Sequence, residues 1–303
     1  MKKQPLAQKL IRALDRTLST VFVAALLLLL LLSLYVMGDN RRIVAEASSE
    51  VYQSYKPTAQ DTVSFEELVA INPDVIGWLT IDGTKIDYPL VQGKSNDTYL
   101  NKSVTGEFSL SGALFLDSRN ASDFSDPLSI IYGHNMTGDM MFGGIDNFED
   151  PSYFNSHLTG TLYFGGEYYR LDIFAYISAD GHDMRLYAPR CDWEASKTWL
   201  AYVDQIAINR TAFPDDGPCL LLSTCAAGQT NGRNLLAAAI SPGGTPPPGK
   251  GESHVSHSGI FVGGRTGTPP WMYLAPSCAV LVGLTILYVS LERRKKRESD
   301  DGE

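Results

Sequence analysis

Two apolar segments near the ends of the chain limit what the rest of it can fold into. Residues 20–37 and 271–291 are almost entirely apolar, and each is about as long as a helix that crosses a bilayer. Only about 230 of the 303 residues lie between them. That length suits one well-buried globular domain, held between two membrane-spanning helices.

The basic residues that flank these segments predict the orientation of the chain in a membrane. Basic residues close to a span stay on the cytoplasmic side. They precede the first segment and follow the second, at Lys2, Lys3, Lys9, Arg12, Arg16, Arg293, Arg294, Lys295, Lys296 and Arg297. We therefore expect cytoplasmic tails at residues 1–19 and 292–303, with the middle of the chain outside the cell.

The first segment also leaves open the interpretation that it is a signal peptide removed after export. The nearby Ala-x-Ala pattern, Ala45-Glu46-Ala47, lies well beyond the end of the segment. A long apolar stretch without a cleavage pattern at its end favours a retained anchor.

The charge of the chain argues against nucleic acid as a partner. The net charge is −9 although both ends are basic, so the middle is strongly acidic. A protein that binds nucleic acid presents basic residues to the phosphates. The composition therefore predicts a partner of another class.

The cysteines indicate a free thiol outside the membrane. Cys278 lies within the second apolar segment, which leaves Cys191, Cys219 and Cys225 in the predicted outer domain. An odd number of cysteines in an extracellular setting points to a reactive thiol. A disulfide between Cys191 and Cys219 remains an alternative.

Short apolar runs separated by turn residues predict a β-barrel. Eight strands are expected, at residues 75–81, 86–92, 112–117, 128–134, 161–165, 168–178, 218–225 and 233–240. Breakers such as Asp82-Gly83 and Asn231-Gly232 lie between them. Eight strands with few long helices favour a mostly β fold, a closed or nearly closed barrel with a few peripheral helices.

Three segments outside the strands have their own patterns. Residues 38–63 are expected to form a polar helical stalk. Ser64 and Glu67 form a capping box that predicts a short helix ending at Asn72-Pro73. Residues 193–208 have helical spacing, and this helix either forms a wall of a substrate groove or covers an edge of the barrel.

The segment after the last strand is predicted to be a linker. Residues 241–270 are rich in Gly, Pro, Ser and Thr, which suits a tether to the second span. Its pair His254 and His257 is weak evidence for a metal, because two histidines in a linker make an incomplete ligand set. We assign no metal site.

Residues suited to nucleophilic chemistry lie at the ends of predicted strands. Cys225 ends the strand 218–225, and Arg233 opens the next one. A nearby permanent cation stabilises the thiolate, which is the reactive form of cysteine. His134, at the end of the strand 128–134, is the candidate that gives and takes protons. Each residue alone has an ordinary structural explanation, but together they predict a cysteine nucleophile site.

The motifs around these residues resemble those of the sortase family, class B. The similarity is carried by Tyr132-Gly133-His134-Asn135-Met136, Met141-Phe142, Leu222-Ser223-Thr224-Cys225 and Arg233. Segments 76–81, 86–92, 97–100 and 112–117 add to it. The resemblance covers about residues 64–240, which we take as the catalytic domain.

The resemblance implies an eight-stranded barrel and a cysteine transpeptidase anchored in a Gram-positive cell membrane. Carried over to this chain, Cys225 is the nucleophile, His134 the general acid and base, and Arg233 the group that binds the oxyanion and positions the substrate. No Asp or Glu is clearly placed to orient the histidine; Asp139 and Asp146 are near in sequence but are also explained as loop residues.

Three neighbouring residues are assigned to substrate binding, namely Ser223, Thr224 and Asn135. Ser223 lies two residues before Cys225, so both are expected on the same face of the strand. Ser223 either lines the pocket or fills space as a small polar side chain.

The implied reaction cuts a C-terminal sorting motif of a surface protein or pilin after threonine, through a thioester. The acyl group passes to an amine of a peptidoglycan precursor or of a pilin lysine, and no cofactor is implied. Two alternatives remain. One is a cysteine hydrolase that releases surface proteins, and the other is a tethered surface module whose cysteine is structural.

Overall fold

The structure, a computed structural model, describes residues 6–189, 191–225 and 231–246, which divide between two compact units. Most of helix α1 (Leu6–Glu46) belongs to the first unit, and its apolar stretch is long enough to cross a bilayer. The helix contains the predicted span 20–37 and extends beyond it at both ends. The second predicted span, the last tail, Cys278 and the histidines of the linker lie outside the described residues.

The second unit is built on strands that follow one another at short intervals. They are β1 (Val75–Ile81), β2 (Asp87–Val91), β3 (Leu114–Leu116), β4 (Leu128–Tyr132), β5 (Asn135–Met136), β6 (Met140–Met141), β7 (Thr159–Phe164), β8 (Glu167–Asp180), β9 (Asn209–Arg210), β10 (Cys219–Cys225) and β11 (Gly232–Pro242). All eight predicted strands are present; the first has the predicted ends, and the others are shifted by one to a few residues.

Eight of these strands close into a barrel, as predicted. Their order around the ring is β11, β10, β4, β3, β2, β1, β7 and β8, and β8 pairs back with β11. The pairs β4–β10 and β2–β3 are parallel, and the other pairs of the ring are antiparallel. β9 adds to β8 outside the ring, and β5 pairs with β6 in a separate ribbon. Neither was predicted, because two residues are too few to show alternation.

The alternation of side chains along the strands separates the inside of the barrel from its covered outer faces. In β10, Leu220 and Leu222 pack in the interior cluster, to which all eight strands contribute, whereas Leu221 packs in a second cluster beneath α4 (Trp193–Ile206). The predicted helix is therefore present, and it covers one outer face through side chains such as Trp199.

A third cluster covers another outer face and corrects the predicted stalk. Tyr52 and Tyr55, in the 3-10 helix Ser49–Tyr55, pack with Phe65 of α2 (Val63–Ile71) against the barrel. The second half of the segment 38–63 is thus part of the domain rather than a free stalk, because its aromatic rings bury apolar surface there.

The start of α2 also differs from the prediction. The capping box at Ser64 is wrong, since Ser64 lies inside the first turn and donates from its N–H and its hydroxyl to Asp61, over 3.2 and 2.6 Å. A carboxylate is a strong acceptor at the positive end of a helix, so Asp61 takes the capping role. The helix ends at Ile71 with Asn72 as its C-cap, so the predicted stop at Asn72-Pro73 is confirmed.

Candidate active site

The ends of neighbouring strands bring the predicted catalytic residues to one edge of the barrel. β4 runs parallel to β10 with Tyr132 opposite Ser223, and the N–H of Gly133 donates to the Ser223 carbonyl over 3.1 Å. Two residues beyond this pair the chain reaches His134 on one side and Cys225 on the other. Because the strands are parallel and about 4.8 Å apart, the two backbones leave the barrel side by side.

Arg233 reaches the same edge on the next strand. β11 is antiparallel to β10, and Arg233 lies directly opposite Cys225. The guanidinium Nη1 donates to the Gly232 carbonyl over 2.9 Å. The side chain also packs against Gly181, where an added Cβ would lie 3.2 Å from Nε. The guanidinium is therefore held against the main chain near the end of β10.

The imidazole of His134 is oriented by a backbone carbonyl. Its Nε2 lies 2.7 Å from the carbonyl oxygen of Leu100. A carbonyl accepts hydrogen bonds and does not donate, so Nε2 carries the hydrogen and Nδ1 is the basic nitrogen. The His134 main chain is fixed as well, because Phe142 donates its N–H to the His134 carbonyl over 2.9 Å.

The two acidic residues near His134 in sequence bind other groups. Asp139 accepts a hydrogen bond from Asn147, and Asp146 accepts from Asn135 and Asn234. Within the described ranges the orienting partner of His134 is the Leu100 carbonyl. No sequence pattern identifies such a partner, since every residue carries a backbone carbonyl and only the geometry of the loop selects this one.

Replacement of Gly112 by alanine is expected to displace the imidazole of His134. The kcat of the predicted transfer reaction should then fall about tenfold. Gly112 has φ +62°, and an added Cβ would lie 2.7 Å from the Leu100 carbonyl oxygen and 3.1 Å from His134 Cδ2. Gly106→Ala is the control, because Gly106 has φ +85° and no atom within 4 Å. Both substitutions carry a backbone cost of about 1 kcal/mol. Equal kcat values for the two variants would contradict the expectation.

The three residues that were predicted to bind substrate lie in different environments. Ser223 and Thr224 are each only 2% exposed, and the Ser223 hydroxyl lies 3.0 Å from the hydroxyl of Tyr187. This burial favours the space-filling alternative for Ser223. Asn135 is partly buried and donates to Asp146 over 2.8 Å. A direct role of these residues in binding stays a prediction.

Two other cysteines of the described ranges are poor nucleophiles. Cys191 and Cys219 are both free thiols, so the disulfide alternative is wrong. Burial raises the pKa of Cys219 to about 12, and burial followed by the charge of Asp192 raises the pKa of Cys191. Both stay protonated at neutral pH, and a thiol without its thiolate form reacts slowly.

A buried carboxylate that sequence reasoning missed supports the strand that leads to His134. The Asp117 side chain is fully buried, and it accepts hydrogen bonds from Tyr132 over 3.0 Å and from Asn96 over 3.0 Å. Arg119 pairs with it at 2.7 Å. Burial alone raises the pKa of Asp117, but the hydrogen bonds from Arg119, Asn96 and Tyr132 outweigh it and lower the pKa to about 2. Asp117 thus stays ionised and holds Tyr132, the last residue of β4.

This lowered pKa predicts how acid destabilises the protein. A carboxyl whose pKa is lowered on folding contributes stability above its ordinary value, and that contribution is lost as the pH falls toward the folded value. For Asp117 the window is about pH 4 to pH 2. We expect the free energy of unfolding of an Asp117→Asn variant to be lower at pH 7 and to fall less steeply across this window. Urea unfolding followed by tryptophan fluorescence measures it, and parallel pH dependences would contradict the prediction.

Known proteins resemble the chain in both sequence and structure. No protein-family model matches it. It is 37% identical to sortase B of Listeria monocytogenes over 150 residues, which are 48% of this chain and 60% of the Listeria protein. A solved class B sortase of Streptococcus pyogenes, involved in pilus biogenesis, is 40% identical with a TM-score of 0.54, covering 59% of this chain and 98% of that one. Sortase B of Staphylococcus aureus, solved with a substrate, is 26% identical with a TM-score of 0.55, covering 59% and 85%.

The closed barrel of eight strands and the similarity to these proteins together define a known class of enzyme. The chain belongs to the sortase family, whose members are cysteine transpeptidases. Within that family its relatives are class B sortases. The match to the Listeria relative spans less than two thirds of that protein's length.

Proposed function

We propose that the protein is a membrane-anchored transpeptidase that joins the C-terminal sorting motif of surface proteins or pilins to an amine. The observation that carries the proposal is the register of β4, β10 and β11: β4 and β10 end, and β11 begins, at one edge of the barrel beside His134, Cys225 and Arg233. We assign these residues as general acid and base, nucleophile and oxyanion group.

In the first step the Cys225 thiolate attacks the carbonyl carbon of the scissile peptide bond, after the threonine of the motif. The Sγ–C bond forms, and the C–N bond breaks as His134 gives its Nδ1 proton to the leaving amine. The product is a thioester on Cys225 and a released C-terminal peptide. The Leu100 carbonyl keeps the ring in place in both charge states, since Nε2 carries a hydrogen in each.

In the second step an incoming amine attacks the thioester carbon. His134 takes a proton from that amine, the new C–N bond forms, and the Sγ–C bond breaks to restore the thiolate. Both steps pass through a tetrahedral oxyanion, to which the Arg233 guanidinium donates hydrogen bonds. A permanent charge in this position favours the transition state more than the neutral carbonyl.

Our proposals for the protein that carries the sorting motif, and for the amine that accepts the acyl group, are based on the relatives. Sortase B has been solved in complex with triglycine, and the Streptococcus pyogenes relative is involved in pilus biogenesis. These relatives support an amine acceptor, either a peptidoglycan cross-bridge precursor or a pilin lysine. The Streptococcus pyogenes relative supports pilins as donors, and other surface proteins as donors rest on the resemblance of the motifs.

The proposed location is the outer face of a Gram-positive cell membrane. The apolar stretch of α1 and the basic residues before it support an anchor with a cytoplasmic N-terminus. The segment 271–291 is proposed as a second span, with the last tail in the cytoplasm. Segment 241–270 then serves as the tether.

The test of the proposed function uses the full chain in detergent with a peptide that carries a sorting motif and with triglycine. A ligated product, detected by mass spectrometry, supports transfer. Hydrolysed peptide alone supports the cysteine hydrolase, with water in place of the amine. No cleavage of any motif in a panel, together with an unreactive Cys225 in thiol labelling, supports the non-catalytic module and overturns the proposal.

A further inference from the structure

One carboxylate connects the residues that follow His134 and Arg233. Asp146 accepts a hydrogen bond on Oδ2 from Asn135 Nδ2 over 2.8 Å, and on Oδ1 from Asn234 Nδ2 over 2.7 Å. Asn135 follows His134 in the chain, and Asn234 follows Arg233. Asn234 is only 8% exposed, and Asp146 and Asn135 are partly buried.

These two hydrogen bonds join β11 to β5, the short strand that follows β4 in the chain. β4 and β11 both pair with β10, which lies between them and ends at Cys225. Two steps across a sheet separate strand axes by about 9.6 Å. The Asp146 carboxylate links the chain just beyond the end of β4 to β11, and so connects segments on either side of β10.

The segment that carries Asp146 is itself fixed to the domain. It is the 3-10 helix Gly143–Glu149, which starts against the main chain of Met136, where a Cβ on Gly143 would lie 2.1 Å from the Met136 carbonyl oxygen. At its other end the Asn209 side chain donates to the carbonyls of Phe148 and Glu149, each over 2.8 Å. Because this helix is held at both ends, the Asp146 carboxylate keeps the Asn135 and Asn234 side chains in fixed positions.

The chemistry of these hydrogen bonds makes them strong. Hydrogen bonds to an ionised carboxylate are stronger than those between neutral groups. Each amide N–H donates to a different oxygen of the same carboxylate, so a shift of either segment displaces the acceptor that the other segment uses.

We propose that Asp146 is a positioning residue that fixes the distance between His134 and Arg233 across the end of β10. This inference rests on the proposed function, because it assigns Asp146 a purpose only if His134 and Arg233 act together on one substrate. Asp146 does not touch the reacting atoms; it acts through Asn135 and Asn234.

The test begins with Asp146→Asn in the full chain. The new amide keeps one acceptor oxygen, but its NH2 group faces a second amide donor, so one of the two bonds is lost. We expect kcat for transfer to triglycine to fall about tenfold with KM within about twofold, and the melting temperature to fall by a few degrees because one hydrogen bond is lost. Asp139→Asn is the matched control, because Asp139 lies seven residues earlier and accepts one exposed hydrogen bond, from Asn147.

A double substitution then separates positioning from simple loss of structure. In Asp146→Asn combined with Asn234→Asp, the amide at 146 donates to the carboxylate at 234 and accepts from Asn135. Both hydrogen bonds return, and kcat should recover most of the tenfold loss. Asn234→Ala removes one bond without changing the carboxylate, and we expect an intermediate fall in kcat.

Three results would overturn the inference: unchanged kcat in Asp146→Asn, a fall matched by Asp139→Asn, or no recovery in the double variant. The wild-type chain is assayed in parallel. If it forms no ligated product, the proposed function fails and the role of Asp146 fails with it. If it forms product while Asp146→Asn is equally active, only the role of Asp146 is wrong.

Discussion

A Cys225→Ala chain is expected to form neither the thioester nor the ligated product. Without a sulfur nucleophile the acyl group has no carrier, and removal of a covalent nucleophile costs about a thousandfold or more in kcat. Incubation with a sorting-motif peptide, followed by mass spectrometry of the intact protein, detects the acyl adduct in the wild type and its absence in the variant.

The matched control is Cys219→Ala, in the same strand. Cys219 is 1% exposed and its raised pKa keeps it protonated, so its loss is expected to lower stability and leave the adduct in place. An adduct that persists in Cys225→Ala and disappears in Cys219→Ala would assign the nucleophile role to Cys219 and contradict the proposed mechanism.

An Asp87→Ala chain is expected to lose about 3 kcal/mol of folding free energy, because the change leaves the donors of a largely buried ion pair without their acceptor. Asp87, at the start of β2, lies 2.7 Å from Lys56 Nζ and accepts hydrogen bonds from Gln53, Trp78 and Thr80, each over 2.8 Å. The substitution leaves the Lys56 ammonium, whose side chain is 14% exposed, without its carboxylate.

The same site attaches the segment that follows α1 to the barrel. Burial opposes ionisation of Asp87, but the hydrogen bond and the charge of Lys56 lower its pKa below the ordinary value. Its contribution to stability is therefore present at neutral pH and is lost as the pH falls below about 4. Asp87→Ala is expected to detach residues 49–56 as well as to destabilise the domain.

Urea unfolding measures the loss, and limited proteolysis within residues 49–56 reports the detachment. Asp82→Ala is the control, because Asp82 is exposed and accepts from Thr159 at the surface. A loss below about 1 kcal/mol in Asp87→Ala, well under the cost of breaking a buried pair, or equal losses in both variants, would show that the carboxylate does not hold this segment.

Much of the barrel follows from patterns of neighbouring residues. The strand Val75–Ile81 is a continuous apolar run closed by Asp82-Gly83, and the pattern reproduced its ends. Helix α4 was predicted from its spacing, and it ends only two residues early. The two-residue strands β5, β6 and β9 carry no pattern, because their pairing depends on where the loops around them are held.

The candidate site likewise combines residues that the sequence indicated with contacts that only the structure shows. His134, Cys225 and Arg233 were singled out by residue type at strand ends and by their resemblance to known motifs, and their roles stay predictions. The contacts around them were not predicted: the Leu100 carbonyl lies 34 residues from His134, and Asp146, considered only in relation to His134, bonds Asn234 88 residues away. The capping box at Ser64 failed for a local reason, since an adjacent carboxylate was a better acceptor.

By itself, the sequence determined the apolar span, the strands and the identity of the reactive residue types, because each is recorded in side chains near one another in the chain. Tertiary structure alone decided which strand ends meet, which backbone carbonyl orients the histidine and which carboxylate joins β5 to β11. Those contacts form between segments distant in sequence, and they depend on the closure of the barrel rather than on any local preference.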